Sequence, residues 1–545
     1  MTAHFAKLWE NMVDIVPQRI AVVQGDERYT WQEYEDRAAR LAGAFTEAGL
    51  GPHAKVGMYL YNSPAYCETN FAALKMRAVP INVNYRYLDD ELHYLLENAD
   101  AEAVVFHRSL GERIARVAPR LPKLKLLIEV DDIDDDEGGP DPVPNAFAYE
   151  DVLARHKPAA RVEPQGDEVY MLYTGGTTGM PKGVVYPLDE FTQFFVAGYP
   201  PMIGMPPIEN TTELLANIRA QADSAGGLVA MSGPPLMHGT GCWLGLMAPH
   251  MLGGATVLLE NRGLDPVELW DAVARERVQQ LIIVGDAFAR PLLRELEQAP
   301  QRWDLSCLKL MISSGAMFST EVKQALFEHL PDLTIADLLG STEGGMGQAI
   351  SRRDSPNSTT ARFMLSPTTK VFNEQGREVT PGSGETGLVA SGGLVPKAYY
   401  KDPEKSARTF RVVDGVRYSF PGDMARVTAE GELELLGRGS NCINTGGEKV
   451  FPEEVEETLK RHPAVEDALV FGQPDERFGN RVVGVVSIAP GQSATATDII
   501  TATQAVLAGY KVPRELMLLA EVPRAPNGKA DYPAAKASFE AAQGD

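Results

Sequence analysis

The sequence predicts an α/β protein: a large N-terminal region of stacked α/β subdomains plus a β-rich subdomain, followed by a small mobile α+β C-terminal domain. Residues 20–130 alternate short apolar runs with helical patterns, which is typical of βα units around a largely parallel sheet. Residues 365–437 contain short strand-like runs separated by glycines, and the chain changes character again in its last part. With 545 residues it is also too long for one ordinary domain.

The N-terminal region begins with a predicted amphipathic helix and continues with predicted strands. Apolar side chains recur at helical spacing at Phe5, Leu8, Trp9, Met12 and Val16. Short apolar runs predict strands at residues 20–23, 56–59, 79–83, 103–106 and 169–173, and later at 256–260, 281–284, 308–313 and 333–338. Residues 131–144 are acidic and contain Pro and Gly, so we expect a solvated surface loop there.

The C-terminal part predicts a compact α+β module. Proline opens a helix at residues 452–461, where two glutamates favour its N-terminal dipole. Strands are predicted at 468–472, 482–488 and 516–522, with a helix at about 497–508. We therefore divide the chain into an N-terminal domain of residues 1–437, a hinge of 438–441 and a mobile C-terminal domain of 442–545.

Composition excludes several classes of function. Lys and Arg total 51 and Asp and Glu total 74, which gives a net charge of −23. An acidic surface repels polyanions, so nucleic acid is excluded as a partner, although a local basic pocket for a nucleotide is allowed. The four cysteines lack zinc-binding spacing, and the N-terminus lacks signal-peptide features. We expect a cytoplasmic protein with no integral membrane segment, for which peripheral membrane contact and a homodimer are allowed.

The strongest local signal is the sequence YTGGTTGMPKG at residues 173–183. Glycines let the backbone approach a ligand and point N–H groups inward, while threonine hydroxyls and a lysine add donors and charge. The candidate phosphate-binding residues are Thr174, Gly175, Gly176, Thr177, Thr178, Gly179 and Lys182. The loop is not a Walker A motif, because proline precedes the lysine and glycine follows it. A P-loop NTPase is therefore disfavoured.

This loop resembles the phosphate loop of the adenylate-forming superfamily, and further segments resemble that family's motifs in order. They are MHGTG at 237–241, SSGA at 313–316, DLLGSTE at 337–343, GETG at 384–387, GD at 422–423, GR at 437–438, NTGGEKV at 444–450, PEE at 452–454 and PRAPNGK at 523–529. One short match carries little weight, but all of them in family order are specific. The resemblance implies an acyl-CoA synthetase that converts a carboxylic acid and ATP to acyl-AMP and pyrophosphate, then transfers the acyl group to coenzyme A.

The resemblance also implies roles for individual residues. Lys529 would bridge the acyl carboxylate and the α-phosphate, and Glu343 with Thr174 would hold Mg²⁺. Asp423 would accept the ribose hydroxyls. His238 would line the acyl pocket and position the acid, which is already ionised and needs no base. Further nucleotide or CoA contacts are implied for Ser314, Gly315, Ala316, Asp337, Leu338, Gly340, Ser341, Thr342, Arg438, Gly446 and Gly447.

The chain departs from the family pattern at three places. Gly175 stands where many members have serine, which removes a hydroxyl but leaves the backbone donors. Ser440 stands where many relatives have aspartate or lysine, at the expected pivot. Residues 198–233, rich in Pro and Met with a helix predicted at 212–222, form an insertion. It would be a lid, a wall of the acyl pocket or a surface elaboration.

The predicted pocket segments, residues 231–243, 282–290 and 315–318, are apolar and favour a bulky apolar acid. The residues of these motifs resemble those of actinobacterial acyl-CoA synthetases, some of which act on long-chain fatty acids and some on steroid side-chain acids. Two alternatives stay open on the sequence. One is an acyl-AMP ligase that loads a carrier protein, and the other is a non-catalytic nucleotide-binding sensor on the same scaffold.

Overall fold

The computed structural model describes residues 2–133, 140–176, 179–223, 227–355, 361–445, 448–475, 479–525 and 528–542. The first part of the chain alternates helices and strands as α1 Phe5–Ile15, β1 Ile20–Gln24, β2 Glu27–Thr30, α2 Trp31–Glu47, β3 Lys55–Tyr59, α3 Pro64–Lys75, β4 Val79–Asn82, α4 Asp89–Asn98, β5 Ala101–His107, α5 Gly111–Val117, β6 Leu126–Val130, β7 Phe147–Ala148 and α6 Tyr149–Arg155. Strands β3 to β7 form a parallel sheet in the order β4-β3-β5-β6-β7. The predicted βα units are therefore confirmed.

The middle of the chain supplies the central sheet. Its elements are β8 Val169–Gly176, β9 Gly179–Pro187, α7 Leu188–Met202, α8 Thr211–Ala220, β10 Val229–Ser232, a π-helix at Thr240–Met247, α9 Ala248–Met251, β11 Ala255–Leu258, α10 Pro266–Glu276, β12 Gln280–Ile283, α11 Gly285–Gln298, β13 Leu310–Ser314, α12 Thr320–His329, β14 Thr334–Ser341 and β15 Gly344–Ser351. Parallel strands run in the order β1-β11-β10-β12-β13-β14. Their carboxyl ends share one edge, where ligands bind in open α/β sheets.

The β-rich part continues this sheet, because β14 pairs antiparallel with β15 and β15 with β16. Its elements are β16 Arg362–Leu365, β17 Thr369–Phe372, β18 Gly387–Ser391, β19 Ala398–Tyr399, α13 Pro403–Thr409, β20 Phe410–Val413, β21 Val416–Ser419, β22 Asp423–Val427 and β23 Glu432–Arg438. Strand β19 joins the β8–β9 hairpin instead. The β-rich subdomain predicted at 365–437 is thus joined to the α/β core by backbone hydrogen bonds.

A 3₁₀ turn at Gly439–Asn441 leads into the last part of the chain. Its elements are β24 Ile443–Thr445, β25 Glu448–Val450, α14 Pro452–Lys460, β26 Val465–Asp475, β27 Gly479–Ile488, α15 Ala496–Gln504, β28 Glu515–Leu519 and α16 Tyr532–Ala541. Strands β26, β27 and β28 form one sheet, with α14 and α15 over a core on one face and α16 over a core on the other. The predicted α+β module is confirmed, with β24, β25 and α16 as additions.

Helix α1 docks on the N-terminal core as its spacing predicts. Phe5, Trp9 and Met12 are fully buried, and they pack among the residues of α2, α3 and α7. Each buried side chain of this size contributes about 1.5–3 kcal/mol relative to exposure. Among the described residues, no helix is both long and apolar enough to cross a bilayer.

Candidate active site

The phosphate loop lies at the end of the β8–β9 hairpin. Thr174 and Lys182 are opposite each other in the antiparallel register, while Gly175 and Gly176 end β8 and Gly179 begins β9. The predicted contacts Thr177 and Thr178 lie outside the described residues. The loop therefore joins two strands, whereas a Walker A loop joins a strand to a helix.

A buried asparagine ties this hairpin to the segment that carries His238. Asn82, at the end of β4, donates to the carbonyls of Tyr173 at 2.8 Å and Met237 at 2.7 Å. Its side-chain oxygen accepts from the Tyr173 N–H at 2.7 Å. Three hydrogen bonds from one buried amide fix two motifs from different parts of the chain. No local sequence pattern marks Asn82, because its role depends on contacts with residues far along the chain.

His238 is held neutral. Its Nε2 is enclosed and makes no hydrogen bond within the described structure. Burial, and then the positive charges of Lys529 and Arg86, lower its pKa to about 3. A neutral imidazole in this position can orient a substrate, and it is too weak a base to remove protons at neutral pH. It lies two residues before the π-helix, a rare conformation that is frequent at functional sites.

The carboxyl ends of β13 and β14 form the next wall of the site. Ser314 ends β13, and Gly315 follows with φ of 94°, which glycine adopts without strain. Gly340 and Ser341 end β14, and Thr342 and Glu343 follow in the turn to β15. The strand ends thus bring the SSGA and GSTE motifs side by side.

Glu343 is positioned by a tyrosine that the motif analysis missed. The Tyr399 hydroxyl donates to Glu343 Oε1 at 2.7 Å. Burial and the charge of Glu343 raise the pKa of Tyr399, so the phenol stays a donor at neutral pH. The ammonium of Lys182 lies 5.8 Å from the centre of the Tyr399 ring, and the Tyr186 hydroxyl donates to the Thr342 carbonyl at 2.7 Å. Tyr399 therefore links the phosphate hairpin to Glu343.

Asp423 and Arg438 face each other across β22 and β23, with 3.6 Å between Oδ1 and Nε. Oδ2 of Asp423 is enclosed and has no hydrogen-bond partner in the described part of the chain. Burial raises the pKa of Asp423, which the nearby guanidinium opposes. An enclosed carboxylate oxygen without a donor is suited to accept a ligand hydroxyl.

Lys529 enters the same space from the C-terminal part. A β-carbon at Gly315 would lie 3.3 Å from its Cε, and one at Gly528, where φ is 73°, would lie 2.9 Å from Cβ of Ala287. The loop that carries Lys529 thus sits against the N-terminal strand ends. Burial, and then Arg438, lower the pKa of Lys529, while Glu343 and Asp423 oppose this shift.

Many of these groups line one cavity of about 1820 Å³, but His238 and Ser314 are not on its wall. The predicted site residues on its wall are Thr174, Lys182, Gly315, Ala316, Asp337, Leu338, Gly340, Ser341, Thr342, Glu343, Asp423, Arg438 and Lys529. Cations, hydroxyl donors and carboxylates from five strands, from the turn after β14 and from the Lys529 loop converge there. Such a wall can hold a polyphosphate and its sugar beside an apolar acid.

Comparison with known proteins shows the family to which this chain belongs. The model of the AMP-binding enzyme matches residues 9–400, and that of the AMP-binding enzyme C-terminal domain matches residues 454–529. The chain belongs to the AMP-binding enzymes. Both matched regions contribute to the cavity, the second through Lys529.

Two curated relatives match this AMP-binding enzyme over nearly its whole length. A 3-oxocholest-4-en-26-oate–CoA ligase of Rhodococcus rhodochrous is 39% identical over 98% of this chain and 96% of its own. A medium/long-chain-fatty-acid–CoA/3-oxocholest-4-en-26-oate–CoA ligase of Mycolicibacterium smegmatis is 39% identical with the same coverage. A solved anthranilate–CoA ligase in complex with anthranoyl-AMP shares the fold, with a TM-score of 0.81, 21% identity and coverage of 100% of this chain and 99% of that one.

Three further predicted contacts of the AMP-binding enzyme are Asp337, Gly446 and Gly447. The carboxylate of Asp337 is buried and lies 2.9 Å from the ammonium of Lys323, so its side chain is already paired. Gly446 and Gly447, predicted to line the pantetheine path, lie outside the described residues. These assignments, like those of the other predicted site residues, stay predictions, and for Asp337 we expect contact through the backbone.

A second buried carboxyl lies at the predicted hinge. Glu453, at the start of α14, accepts from the Arg438 N–H at 3.4 Å through Oε1, and its Oε2 is enclosed. Burial, and then the neighbouring charges of Glu456 and Asp423, raise its pKa to about 8. Its neutral form is therefore the one that fits against Gly437 and Arg438.

This carboxyl predicts a pH dependence of docking. Between pH 4.5 and about 8, Glu453 keeps its proton when it packs against Gly437 and loses it when it is exposed to solvent. The packing of α14 against Gly437 and Arg438, called docking below, therefore weakens as the pH rises through that range. We expect Glu453→Gln to show a shallower decline of acid-dependent ATP–pyrophosphate exchange toward about pH 8 than the wild type. The exposed Glu540→Gln should keep the wild-type profile. Identical profiles for Glu453→Gln and wild type would contradict the prediction.

Proposed function

We propose that this protein is an ATP-dependent acyl-CoA synthetase: it joins a carboxylic acid to AMP with release of pyrophosphate, and then transfers the acyl group to coenzyme A. The observation that carries the proposal is the approach of the Lys529 side chain to Gly315, on the wall of one cavity with Glu343, Asp423 and Arg438. The CoA-ligase names of relatives at 39% identity support it.

The first reaction brings two anions together, since a carboxylate attacks the α-phosphorus of ATP. Lys529 would stabilise the charge that they share, and the phosphates of ATP would favour its ammonium form against the desolvation that lowers its pKa. Asp423 would accept the ribose hydroxyls through its enclosed oxygen. Neutral His238 would orient the acid rather than accept a proton.

Mg²⁺ fits Glu343 together with Thr174. Among the described residues there is no cluster of three or more metal-binding side chains, and Mg²⁺ commonly binds through one or two carboxylates and the substrate's phosphates. Tyr399 fixes the Glu343 carboxylate that would hold it. When bound, the ion would neutralise phosphate charge.

The second reaction requires a different face at the cavity, since Lys529 fills part of it. We propose that the C-terminal domain, residues 442–545, rotates about residues 438–441 for thiol attack. The positive φ of Gly437 at 118° and the separate hydrophobic core beyond residue 442 support this division. Gly446 and Gly447 would then face the pantetheine of CoA.

We propose a bulky apolar acid as the substrate, a fatty acid or a steroid side-chain acid, in line with the named substrates of the relatives. The cytoplasm is the proposed compartment.

Pyrophosphate release should be measured with acids from acetate to hexadecanoate and with aryl and steroid acids, with and without CoA. We expect CoA-stimulated turnover with apolar acids. Release without CoA stimulation would instead indicate an acyl-AMP ligase that loads a carrier protein. No release with any acid would indicate a non-catalytic nucleotide-binding sensor.

The metal assignment predicts that Glu343→Gln raises the Mg²⁺ concentration needed for half-maximal pyrophosphate release by about tenfold or more, equivalent to about 1.4 kcal/mol. The amide keeps the hydrogen bond from Tyr399 but lacks the charge that binds the ion. Glu385→Gln, in the exposed GETG turn, is the control and should leave the requirement unchanged. An unaltered Mg²⁺ titration of Glu343→Gln would remove the metal role.

A further inference from the structure

The segment that carries Lys529 is held in shape by backbone hydrogen bonds. The Ala525 N–H donates to the Lys529 carbonyl at 2.8 Å, and the Gly528 N–H donates to the Ala525 carbonyl at 2.8 Å. Arg524 and Ala530 also form an isolated antiparallel bridge. These bonds are internal to the segment, so its position relative to the C-terminal sheet depends on other contacts.

One arginine attaches this segment to the C-terminal sheet. Nε and Nη2 of Arg524 donate to the two carboxylate oxygens of Asp467 on β26, each at 2.7 Å. A bidentate pair of this kind fixes the plane and the direction of the guanidinium as well as its distance. The two side chains are only 20% and 24% exposed, so salt screens this pair less than a pair on the surface.

The same guanidinium also reaches the residue before Lys529. Nη1 of Arg524 donates to the Gly528 carbonyl at 3.3 Å. Gly528 lies against the N-terminal part, since a β-carbon there would be 2.9 Å from Cβ of Ala287. Arg524 therefore connects a carboxylate of the C-terminal sheet to the peptide group that joins Gly528 to Lys529.

A second anchor lies on the other side of Lys529. The hydroxyl of Tyr532, at the start of α16, donates to Oε1 of Glu456 at 2.9 Å. Glu456 is buried on α14, and the same oxygen accepts from the Val470 N–H of β26 at 2.9 Å. Both anchors thus lead to β26, and together they define where the backbone at Lys529 lies.

We propose that Arg524 is a positioning residue for formation of the acyl-adenylate: paired with Asp467, it holds the Gly528 carbonyl so that the Lys529 side chain reaches the carboxyl ends of the N-terminal strands. The inference rests on the proposed function. Arg524 is on the cavity wall, but all three nitrogens of its guanidinium are bonded within the C-terminal part. It would therefore act through Lys529, which transfer to CoA does not use.

The test is Arg524→Gln, measured in the two reactions separately. We expect acid-dependent ATP–pyrophosphate exchange to fall about tenfold to a hundredfold, because misplacement of a catalytic group by about 1 Å can cost about a hundredfold in rate. Formation of acyl-CoA from supplied acyl-AMP should stay unchanged. Asp467→Asn should show the same selectivity with a smaller loss, because the amide keeps one acceptor for Arg524 but lacks the charge.

Arg481→Gln is the matched control. Arg481 also pairs with a carboxylate of the C-terminal sheet, that of Glu515 at 3.1 Å, but it is not on the cavity wall. Both reactions should therefore be normal in this variant.

A combined variant separates positioning from a merely structural role. Because Arg524 would act through Lys529, Arg524→Gln should cause no further loss of exchange in the Lys529→Ala background. Further loss there, equal loss of both reactions in Arg524→Gln and Asp467→Asn, or unchanged exchange in Arg524→Gln would overturn the inference while leaving the proposed function intact. Absence of acid-dependent exchange in the wild type would overturn the proposed function, and this inference with it.

Discussion

Lys529→Ala should slow formation of the acyl-adenylate about 10²–10³-fold while leaving transfer of a supplied acyl-adenylate to CoA nearly intact. The ammonium is the cation that the C-terminal part brings to Gly315, where a carboxylate would meet the α-phosphate. Loss of one preorganised charge or donor at such a position costs about 10²–10³-fold in rate. Thiol attack on an adenylate forms no new contact between two anions, so it does not need this charge.

Two assays separate the steps. Acid-dependent ATP–pyrophosphate exchange reports adenylation, and acyl-CoA formed from synthetic acyl-AMP reports transfer. Lys536→Ala, an exposed lysine on α16, is the control and should be normal in both. Equal loss of both steps in Lys529→Ala would contradict the proposal that the C-terminal domain takes a different position in each of the two reactions.

The catalytic edge could be predicted from the sequence because its motifs are local. Gly315 follows β13 and Gly340 lies at the end of β14, both strands have clear apolar runs, and parallel strands carry their carboxyl ends to one edge. Tyr399 and Asn82 could not be found this way, since each acts through partners distant in the chain. The Tyr-Tyr-Lys run before α13 was the one available sign of Tyr399.

The predicted helices and strands of the C-terminal part are present, but their bounds differ from the predicted ones. Strand β26 runs to Asp475, beyond the predicted 472, because pairing with β27 continues through polar residues. Helix α15 ends at Gln504 rather than at 508. The insertion, interpreted as irregular from residue 198, begins with the end of α7, where Pro200 and Pro201 occupy the last turn. Contacts between residues distant in the chain set where these elements end, and the local sequence pattern does not show those contacts.

Gly437→Ala should reduce adenylation about a hundredfold while sparing transfer from acyl-AMP. Gly437 has φ of 118°, a conformation that costs a residue with a β-carbon about 1–3 kcal/mol. A β-carbon there would also collide with the carboxylate of Glu453, which packs on it when Lys529 is in the cavity. Both effects penalise the docked arrangement. Gly509→Ala is the control, since Gly509 is exposed and outside the hinge, has no positive φ, and a β-carbon there would meet nothing within 4 Å.

The collision and the strain can be separated by a second substitution. Glu453→Ala in the Gly437→Ala background removes the collision and leaves the backbone strain, so adenylation should recover part of the loss. Because the two residues touch, their effects should be non-additive in a double-mutant cycle. Additive losses would mean that Glu453 does not pack on Gly437 in the adenylating state, and that the hinge holds the domain by other contacts. Recovery confined to adenylation, with transfer unchanged throughout, would show that this contact belongs to the docked arrangement alone.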